Sequence, residues 1–412
     1  MQLAPIIISL LMNDLYKFSM GQAIFHQFNK IRTKWAFKCR NKGVVFTHEM
    51  IEEIKAQIAY FCTLRFTEDE LNWLRLNIPW LSEDYISHLR RWYARPEQIS
   101  IQEVPFSVNP CGMEIIAEGE WSDTSMYEIP ILAVVNEVYF AFKYGAGALD
   151  RDFKWRADEK VAKIRAGAVR LGVYSEFGLR RRYSAAMQDY IVRILAEIGK
   201  NNPYSRFVGT SNVYLAKKYG ITPVGTMAHE WVQVTGQALY EHNPAYSNKY
   251  MMKYWVREYQ TDNGIALTDT ITTDCFLRDF NKTYATLFSG VRHDSNDPFA
   301  WGEKMIAHYK KLGIDPKNKT LLFSDSLDFE RATKIYDHFH DKAHVAFGIG
   351  TFLSNDTGKE PLNIVMKVIE ANGSPVAKIS DDAGKGMCRD AGYVDYLRRT
   401  IDWRLTHEKE VA

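Results

Sequence analysis

The spacing of apolar residues divides the chain into two parts that differ in the order of their predicted helices and strands. In the first part, helical spacing covers residues 49–61 and 68–77, whereas residues 33–39 and 99–108 alternate as strands do. Helices and strands mixed in this way indicate an α+β arrangement. We place this N-terminal domain at residues 1–135.

From residue 207 onward, short apolar runs alternate with helical patterns. Each run ends in Gly, Ser, Thr or Asp, and together the runs cover residues 206–208, 222–225, 265–268, 286–291, 320–323 and 344–347. Strand and helix in alternation, with polar residues after each strand, are typical of a parallel sheet that is either open or closed as a barrel. Six such units favour a barrel. We therefore predict an α/β barrel over residues 136–355, with the site at the carboxyl ends of its strands.

The end of the chain has a different pattern. Residues 363–369 and 375–380 alternate on either side of Asn372-Gly373, a dipeptide that strongly favours a hairpin turn. The charged segment that follows predicts a surface element. We expect residues 356–412 as a whole to pack on the N-terminal domain.

Composition excludes several classes of protein. The 52 basic and 50 acidic residues give a net charge of +2, which predicts no nucleic-acid partner. Five cysteines without a Cys-x-x-Cys pair favour reduced thiols and a cytoplasmic location. The apolar run at 5–12 lacks a basic leader, and the run at 131–149 contains Asn136, Glu137 and Lys143. We predict a buried helix for the second run and no membrane span.

Glycines follow the last strand of the predicted barrel. Gly348 and Gly350 would let backbone amides approach a phosphate, and Thr351 adds a hydroxyl donor. A glycine-rich turn without a ligand explains the same residues equally well. No Gly-x-x-x-x-Gly-Lys-Ser/Thr loop is present, which disfavours P-loop binding of ATP.

Charged side chains follow three other strands. Arg292 suits a planar carboxylate, and Asp294 suits Mg²⁺, a sugar hydroxyl or a histidine. Asp325 belongs to an acidic segment that also fits a helix N-cap. His229 directly follows a strand, where its ring would point into the mouth of the barrel, although a lone histidine is more often structural.

Taken together, the motifs resemble those of the nicotinate phosphoribosyltransferase family, in order as well as in content. The segments that carry the resemblance are NDLYKFSM at 13–20, EFGLRR at 176–181, GTSNV at 209–213, GTMAHE at 225–230, SGVRHDS at 289–295, SDSLD at 324–328 and GIGT at 348–351. Asn13 and His293 stand where the family often has threonine and leucine, and we assign no role to His293.

The resemblance implies a type II phosphoribosyltransferase fold, an irregular TIM-like α/β barrel with an N-terminal α/β sandwich domain, assembled as a homodimer with shared sites. It also implies roles for individual residues. Nicotinate would contact Tyr16, Thr226, Arg292 and Arg180. The phosphoribosyl diphosphate would contact Ser295, Asp325, Gly348, Gly350 and Thr351. His229 and Asp294 would be catalytic, and His229 would be transiently phosphorylated by ATP.

The implied reaction is the ATP-dependent synthesis of nicotinate mononucleotide from nicotinate and 5-phosphoribosyl 1-diphosphate, in salvage of NAD. Mg²⁺ would be held mainly by the diphosphate, so we assign it no protein ligands. A nicotinamide or quinolinate phosphoribosyltransferase is the nearest alternative. We prefer nicotinate because quinolinate would need a second dedicated cation. A non-catalytic sensor of phosphate ligands on the same barrel is the alternative from another class.

Overall fold

Two β-sheets organise the chain in the computed structural model, which describes residues 2–199, 202–379 and 388–408. The strands within these residues are β1 (Arg32–Cys39), β2 (Ile99–Glu103), β3 (Met113–Glu120), β4 (Gly172–Glu176), β5 (Ser205–Thr210), β6 (Thr222–Pro223), β7 (Ile265–Leu267), β8 (Gly290–His293), β9 (Thr320–Phe323), β10 (His344–Ile349), β11 (Ile364–Ala371) and β12 (Ser374–Pro375). One sheet has the order β12-β11-β1-β3-β2 and is antiparallel. The other has the order β6-β5-β4-β10-β9-β8-β7 and is parallel.

Helices connect and cover the strands. They are α1 (Leu15–Gln27), α2 (His48–Thr63), α3 (Glu68–Asn77), α4 (Glu83–Leu89), α5 (Trp121–Thr124), α6 (Glu128–Tyr144), α7 (Asp150–Arg165), α8 (Ala185–Gly199), α9 (Val213–Tyr219), α10 (His229–Gln237), α11 (Ser247–Tyr259), α12 (Thr273–Asp279), α13 (Lys282–Leu287), α14 (Pro298–Lys311), α15 (Phe329–Phe339), α16 (Thr351–Ser354) and α17 (Ala391–His407). In the part of the chain that the structure describes, no helix has both the length and the apolar character needed to cross a bilayer.

Local signals explain several helix starts. The Thr67 hydroxyl accepts from the amide of Glu70, and the Glu70 carboxylate accepts in return from the amide of Thr67, which is a capping box. Thr47 caps α2 in the same way through the amide of Met50. Such caps satisfy backbone amides that the first helical turn leaves unpaired. The predicted helix at 68–77 has the observed bounds, and the one at 49–61 lies within α2.

The antiparallel sheet draws strands from both ends of the chain. β1 pairs with β3 on one side and with β11 on the other, so the predicted C-terminal hairpin joins the N-terminal sheet. Asn372 (φ 49°) and Gly373 (φ 76°) form its turn, because positive φ at both central positions matches the twist of a hairpin. α17 instead packs against α12 and residues Pro244–Tyr246, on the side of the parallel sheet.

The parallel sheet curls as a half-barrel. β6 and β7 are its edge strands, and no hydrogen-bonded strand pair among the described residues joins them. The Thr226 hydroxyl crosses this gap by donating to the Ile265 carbonyl oxygen over 2.8 Å. The fold class implied by the resemblance, an irregular α/β barrel with an N-terminal α/β sandwich domain, is therefore confirmed. The parallel sheet is a half-barrel of seven strands rather than the six runs seen in the sequence.

Some predicted elements differ from those observed. Residues 286–291 were expected to form one strand, which is wrong: α13 ends at Leu287 and β8 begins only at Gly290. The Asn281 side chain caps α13 by accepting from the Tyr284 amide, so the helix extends into the apolar run. The strand expected at 99–108 ends at Glu103, and a turn from Pro105 follows it. In the expected strand at 375–380, Pro375 ends β12 and Ile379 forms an isolated bridge with Ile271, while residue 380 lies outside the described residues.

Candidate functional site

A cavity of about 470 Å³ opens at the carboxyl edge of the parallel sheet, where the antiparallel sheet closes over it. Its size lies in the range usual for small-molecule sites. Side chains and backbone from both sheets line it: Asp14, Tyr16, Arg40, Glu128, Phe177, Gly178, Arg180, Arg181, Ser211, Val224, Gly225, Ala228, His229, Arg292, Asp294, Ser324, Asp325, Ser326, Leu327, Gly350, Thr351, Phe352, Pro361, Leu362, Asn363, Val365, Lys367 and Lys378. The site therefore depends on contact between the two halves of the chain.

Cationic side chains outnumber the carboxylates of Asp14, Glu128, Asp294 and Asp325 in the lining. Arginine and lysine contribute six of the lining side chains, namely Arg40, Arg180, Arg181, Arg292, Lys367 and Lys378. Burial, opposed by Glu128 and reinforced by Arg180, lowers the pKa of Lys367 to about 8. Burial, Arg180 and Arg40 lower the pKa of Arg181 to about 9. Cations that repel one another in a buried cavity are stabilised by an anionic ligand, so the lining suits carboxylate and phosphate groups.

His229 lies at the start of α10 and is held by two charged neighbours. Its Nε2 is 3.0 Å from Asp269 Oδ1 and 2.8 Å from Lys378 Nζ. Lys378 also donates to Asp269 Oδ2 over 2.8 Å, which closes a triangle of three side chains. Asp294 Oδ2 approaches the same Nε2 at 3.6 Å. The ring orientation is thus fixed by contacts at one nitrogen.

Burial and the neighbouring charges keep this imidazole neutral at pH 7. Burial, followed by the charge of Lys378, lowers the pKa of His229 to about 4. Burial works against the charge of Asp269, but His229 and Lys378 hold the pKa of Asp269 well below its usual range. The ion pair in the triangle is therefore Lys378 with Asp269, and His229 keeps a nitrogen lone pair available as a nucleophile.

Backbone pairing places Lys378 opposite Asp269. The amide of Ile379 donates to Thr270 O over 2.8 Å, and the amide of Thr272 donates to Ile379 O over 3.2 Å. Thr272 has φ of 60°, an uncommon conformation for a β-branched residue. This strained turn lets the segment after β7 run beside the segment after β12, so the C-terminal part of the chain completes the site.

Glu176 holds the loop that carries Arg180. It ends β4, is fully buried, and accepts from the Thr210 hydroxyl over 2.6 Å, from the Gly178 amide over 2.5 Å and from Gln188 Nε2 over 3.1 Å. Burial raises the pKa of Glu176 to about 7, although these hydrogen bonds lower it. Glu176 therefore ties β4, β5 and α8 to the start of the loop.

Replacing Glu176 is expected to change how the free energy of unfolding depends on pH. Because the folded-state pKa, about 7, exceeds the ordinary value of 4.5, the folded protein binds more protons than the unfolded chain between these values. Wild-type stability should thus fall as pH rises through this window, by up to about 3 kcal/mol. Glu176→Gln should lose that component. Urea unfolding at pH 5 and pH 8 measures it, and equal pH dependence in both proteins would contradict the prediction.

Asp294 directly follows β8, as predicted, whereas Arg292 lies within that strand, one residue before its end. The Nε atom of Arg292 is buried and has no hydrogen-bond partner among the described residues. A buried, unsatisfied guanidinium donor is costly unless a ligand supplies an acceptor. Burial opposes the charge of Asp294, but His229 and Arg292 lower its pKa, and the Ser324 hydroxyl donates to Asp294 Oδ1 over 3.2 Å. Both side chains face the cavity in charged form.

Most of the residues implied by the resemblance line this cavity, but three do not. The Thr226 hydroxyl is used by Ile265 across the gap of the half-barrel. Ser295 donates to Asp269 Oδ2 over 2.6 Å and so supports the histidine triangle. A side-chain Cβ at Gly348 would lie 2.3 Å from the ring of Phe177, so glycine there is explained by packing. Their positions favour support of the site over contact with substrate.

The sequence left two roles open for the glycine-rich turn and for the acidic segment, one in local structure and one in ligand binding. The structure is consistent with both roles for each motif. Gly350 and Thr351 line the cavity, although a Cβ at Gly350 would also crowd the Phe177 carbonyl oxygen at 3.1 Å. In the acidic segment, Asp328 is the N-cap of α15, where it accepts from the Arg331 amide over 2.7 Å, whereas Asp325 lines the cavity. Each motif thus combines a packing role with a place in the site.

Sequence motifs did not identify several residues of the site. Asp269 follows the strand-like run at 265–268 in an Asp-Thr pair, which was the one local signal. Lys367 and Lys378 lie in the hairpin at the end of the chain, and Glu128 begins α6. No spacing in the sequence connects these residues with His229. His293, to which no role was assigned, is buried and is not among the cavity-lining residues.

Comparisons with known proteins agree with this architecture. Residues 173–404 match the sequence model of the nicotinate phosphoribosyltransferase family, and residues 11–136 match that of the N-terminal domain of the same family. A nicotinate phosphoribosyltransferase of Cupriavidus necator is 43% identical over 396 residues, which covers 96% of this chain and 98% of that protein. One from Xanthomonas axonopodis is 42% identical over 400 residues, covering 95% and 97%.

Solved structures give the same result. The crystal structure of nicotinate phosphoribosyltransferase from Vibrio cholerae superposes with a TM-score of 0.88 at 34% identity, covering 97% of this chain and 95% of that one. The structure from Porphyromonas gingivalis gives a TM-score of 0.87 at 34% identity, covering 96% and 100%. Since sequence and structure agree over nearly the whole length, the chain belongs to the nicotinate phosphoribosyltransferase family.

Proposed function

We propose that the cavity joins nicotinate to 5-phosphoribosyl 1-diphosphate, producing nicotinate mononucleotide and diphosphate in the salvage route to NAD. The observation that carries this proposal is the set of six cationic side chains that line one cavity of suitable size. Both substrates are anions and therefore suit a cationic cavity. The reaction itself is inferred from membership of the family. The pyridine nitrogen forms the bond to ribose C1 as the bond to diphosphate breaks, a step that needs orientation and charge stabilisation rather than a covalent intermediate.

Nicotinate is expected to bind between Tyr16 and Arg292. The Tyr16 ring offers a stacking surface for the pyridine, and the Arg292 guanidinium offers paired donors to a carboxylate. Arg180 adds a second cation on the same cavity wall. Quinolinate would need a second dedicated cation, but several cations line the cavity, so their number does not distinguish quinolinate from nicotinate. Family membership therefore supports the choice of pyridine.

The phosphoribosyl diphosphate is expected to lie along the strand ends that carry Asp325, Gly350 and Thr351. The cavity-facing backbone of Gly350 and the Thr351 hydroxyl suit the 5-phosphate. Gly348 and Ser295 would act behind this surface, through packing and through Asp269. Arg40 and Arg181 are cations for the phosphate groups.

Mg²⁺ is the metal that we propose for the diphosphate. The oxygen and nitrogen ligand atoms of His229, Asp269 and Asp294 lie within 4.8 Å of one another, but the Lys378 ammonium already bonds to two of these residues. The group of His229, Asp269 and Asp294 therefore does not fit a dedicated metal site. Asp294 and Asp325 offer the hard oxygen ligands that Mg²⁺ prefers, with diphosphate supplying the rest. The ion would neutralise the charge on the leaving group.

We further propose that ATP phosphorylates His229. When the Nε2 proton of His229 is donated to Asp269, the lone pair lies on Nδ1, which would attack the γ-phosphorus as the bond to ADP breaks. The ring would then carry positive charge, which Asp269 stabilises. A phosphoryl group at the first residue of α10 also meets the positive end of the helix dipole. Hydrolysis of the N–P bond would return the histidine, and ATP use would favour synthesis if the two forms bind substrates differently.

Two broader proposals come from the resemblance. The enzyme would act as a homodimer, which sedimentation velocity tests directly. The location would be the cytoplasm, which suits the free cysteines Cys39, Cys62, Cys111, Cys275 and Cys388.

The test of the function is a single assay with three pyridines. Enzyme, phosphoribosyl diphosphate, Mg²⁺ and ATP are combined with nicotinate, nicotinamide or quinolinate, and both mononucleotide and ADP are measured. We expect mononucleotide and ADP with nicotinate. If nicotinamide or quinolinate gave more mononucleotide than nicotinate, the protein would instead be assigned as the phosphoribosyltransferase for that pyridine. Binding of phosphoribosyl diphosphate without turnover of any pyridine would instead support a sensor, and product without ADP would remove the phosphohistidine step.

A further inference from the structure

Lys17 is a buried charge directly behind the cavity. It follows Tyr16 in α1, and none of its side chain is exposed. Its ammonium lies 2.8 Å from Glu128 Oε2 and forms a second salt bridge with Glu230 Oε2. The ring of Trp35 lies 4.9 Å from Nζ. The fully buried Lys17 side chain is therefore shared by two carboxylates.

The Glu230 carboxylate is fixed by further donors. Its Oε1 accepts from the Ser125 hydroxyl and from the Trp121 indole nitrogen, the latter over 3.3 Å. Burial raises the pKa of Glu230, whereas Lys17 lowers it. Burial also opposes the charge of Glu128, but Lys17, Lys367 and Arg180 lower its pKa. The charges at this cluster and in the cavity thus depend on one another.

Lys17, Glu128 and Glu230 form a charged cluster, and each of them lies at the start of a helix next to the cavity. Lys17 lies in the first turn of α1, Glu128 begins α6, and Glu230 is the second residue of α10. Tyr16, Glu128 and His229 line the cavity, so each charge is either a cavity residue or the immediate neighbour of one. The cluster therefore links the proposed pyridine surface to the proposed phosphoryl acceptor.

A second contact reinforces the link. The loop before α10 passes so close to α1 that a Cβ on Gly225 would lie 3.0 Å from the backbone nitrogen of Tyr16. Gly225 has φ of 142°, which disfavours other residues. A shift at the start of α10 therefore reaches Tyr16 through backbone packing as well as through Lys17.

We propose that Lys17 is the positioning residue that couples phosphorylation of His229 to the binding of nicotinate at Tyr16. This inference rests on the proposed function. A phosphoryl group on His229 adds negative charge beside Glu230, and the shared ammonium transmits the resulting shift of α10 to α1. Without the ammonium, Glu128 and Glu230 would repel each other and the two helix starts would lose their common contact. Coupling between sites requires such an element, whose arrangement both sites influence.

The first test is Lys17→Met, which keeps a long unbranched side chain and removes its charge. We expect ATP hydrolysis to continue but the ratio of nicotinate mononucleotide to ADP to fall about tenfold, a typical size for coupling between sites. The KM for nicotinate measured with ATP should rise toward the value measured without ATP. If Lys17 only supported the fold, Lys17→Met would lower the amount of folded enzyme or its thermal stability without changing this ratio.

Glu230→Gln is a second variant in case Lys17→Met does not fold. It leaves Lys17 paired with Glu128, so Tyr16 keeps its support while the link to α10 is weakened. The ratio of product to ADP should fall here too, whereas the KM for nicotinate without ATP should stay unchanged. Arg404→Met is the matched control, since it removes a buried cation from Asp279, on α12 and α17 away from the cavity.

The outcomes separate this inference from the function on which it rests. Wild-type enzyme that forms no ADP would overturn the phosphohistidine proposal and the coupling with it. Wild-type enzyme that forms both products, with an unchanged ratio in Glu230→Gln and in any folded Lys17→Met, would overturn the role of Lys17 alone. A ratio lowered equally in Arg404→Met would also overturn it, because loss of stability would then explain the effect.

Discussion

His229→Asn is expected to reduce nicotinate-dependent ADP formation to background while some transfer remains. Asparagine lacks the ring nitrogen that would accept the phosphoryl group, but Lys378 and Asp269 can still pair with each other. The transfer step depends on orientation and on the cavity cations, which the substitution leaves in place. ADP and nicotinate mononucleotide should be measured in the same reaction.

His293→Asn is the matched control for this prediction. His293 is also a buried histidine at the carboxyl end of the parallel sheet, but its Nε2 contacts the Asn296 carbonyl oxygen at 3.2 Å and it is not among the cavity-lining residues. We expect this variant to retain ADP formation. If His229→Asn kept full ATP coupling, the phosphoryl acceptor would have to be another group.

The low pKa of His229 predicts how phosphorylation of this residue responds to pH. A histidine with its ordinary pKa of 6.5 would lose most of its nucleophilic form between pH 7.5 and 6, but one with a pKa of about 4 keeps it. Formation of the phosphoenzyme should therefore change little over this range. Rapid-quench measurement with labelled ATP tests the prediction, and a steep loss near pH 6.5 would show that the ring titrates normally.

Arg292→Gln is expected to raise the KM for nicotinate about a hundredfold, since charge-assisted hydrogen bonds to a carboxylate contribute about 3 kcal/mol. The buried Nε of Arg292 has no partner among the described residues, so the guanidinium is available to a ligand. Weak inhibition by nicotinamide, which lacks the carboxylate, should change far less. That contrast ties the effect to the carboxylate and not to general damage.

Arg206→Gln serves as the control for charge alone. Arg206 lies on β5 of the same sheet but is exposed, so its replacement should leave the KM for nicotinate unchanged. An unchanged KM in Arg292→Gln would contradict the proposed role and direct attention to Arg180. Parallel loss of nicotinate and nicotinamide binding would indicate that Arg292 supports the cavity rather than the carboxylate.

Local sequence patterns were enough to identify the family and the change from a mixed N-terminal part to an alternating strand and helix part. Motifs such as the one around His229 depend on residues close together in the chain, and their order identified the family that the comparisons then confirmed. Helices with strong caps, such as α3, were also predictable, because their signals lie within one or two turns. Strand ends could be recognised for the same reason, which is why Arg292, Asp294 and Asp325 were predicted at the site, and all three line the cavity.

Only the tertiary structure decided which distant segments complete the site. β11 pairs with β1, and that pairing brings Lys367 to the cavity and Lys378, a few residues further on, to His229. The buried partners of Lys17 likewise come from α6 and α10. Hydrophobic periodicity records which face of an element is buried but not what covers it, because strand pairing and charge neutralisation across hundreds of residues follow from packing of the whole chain.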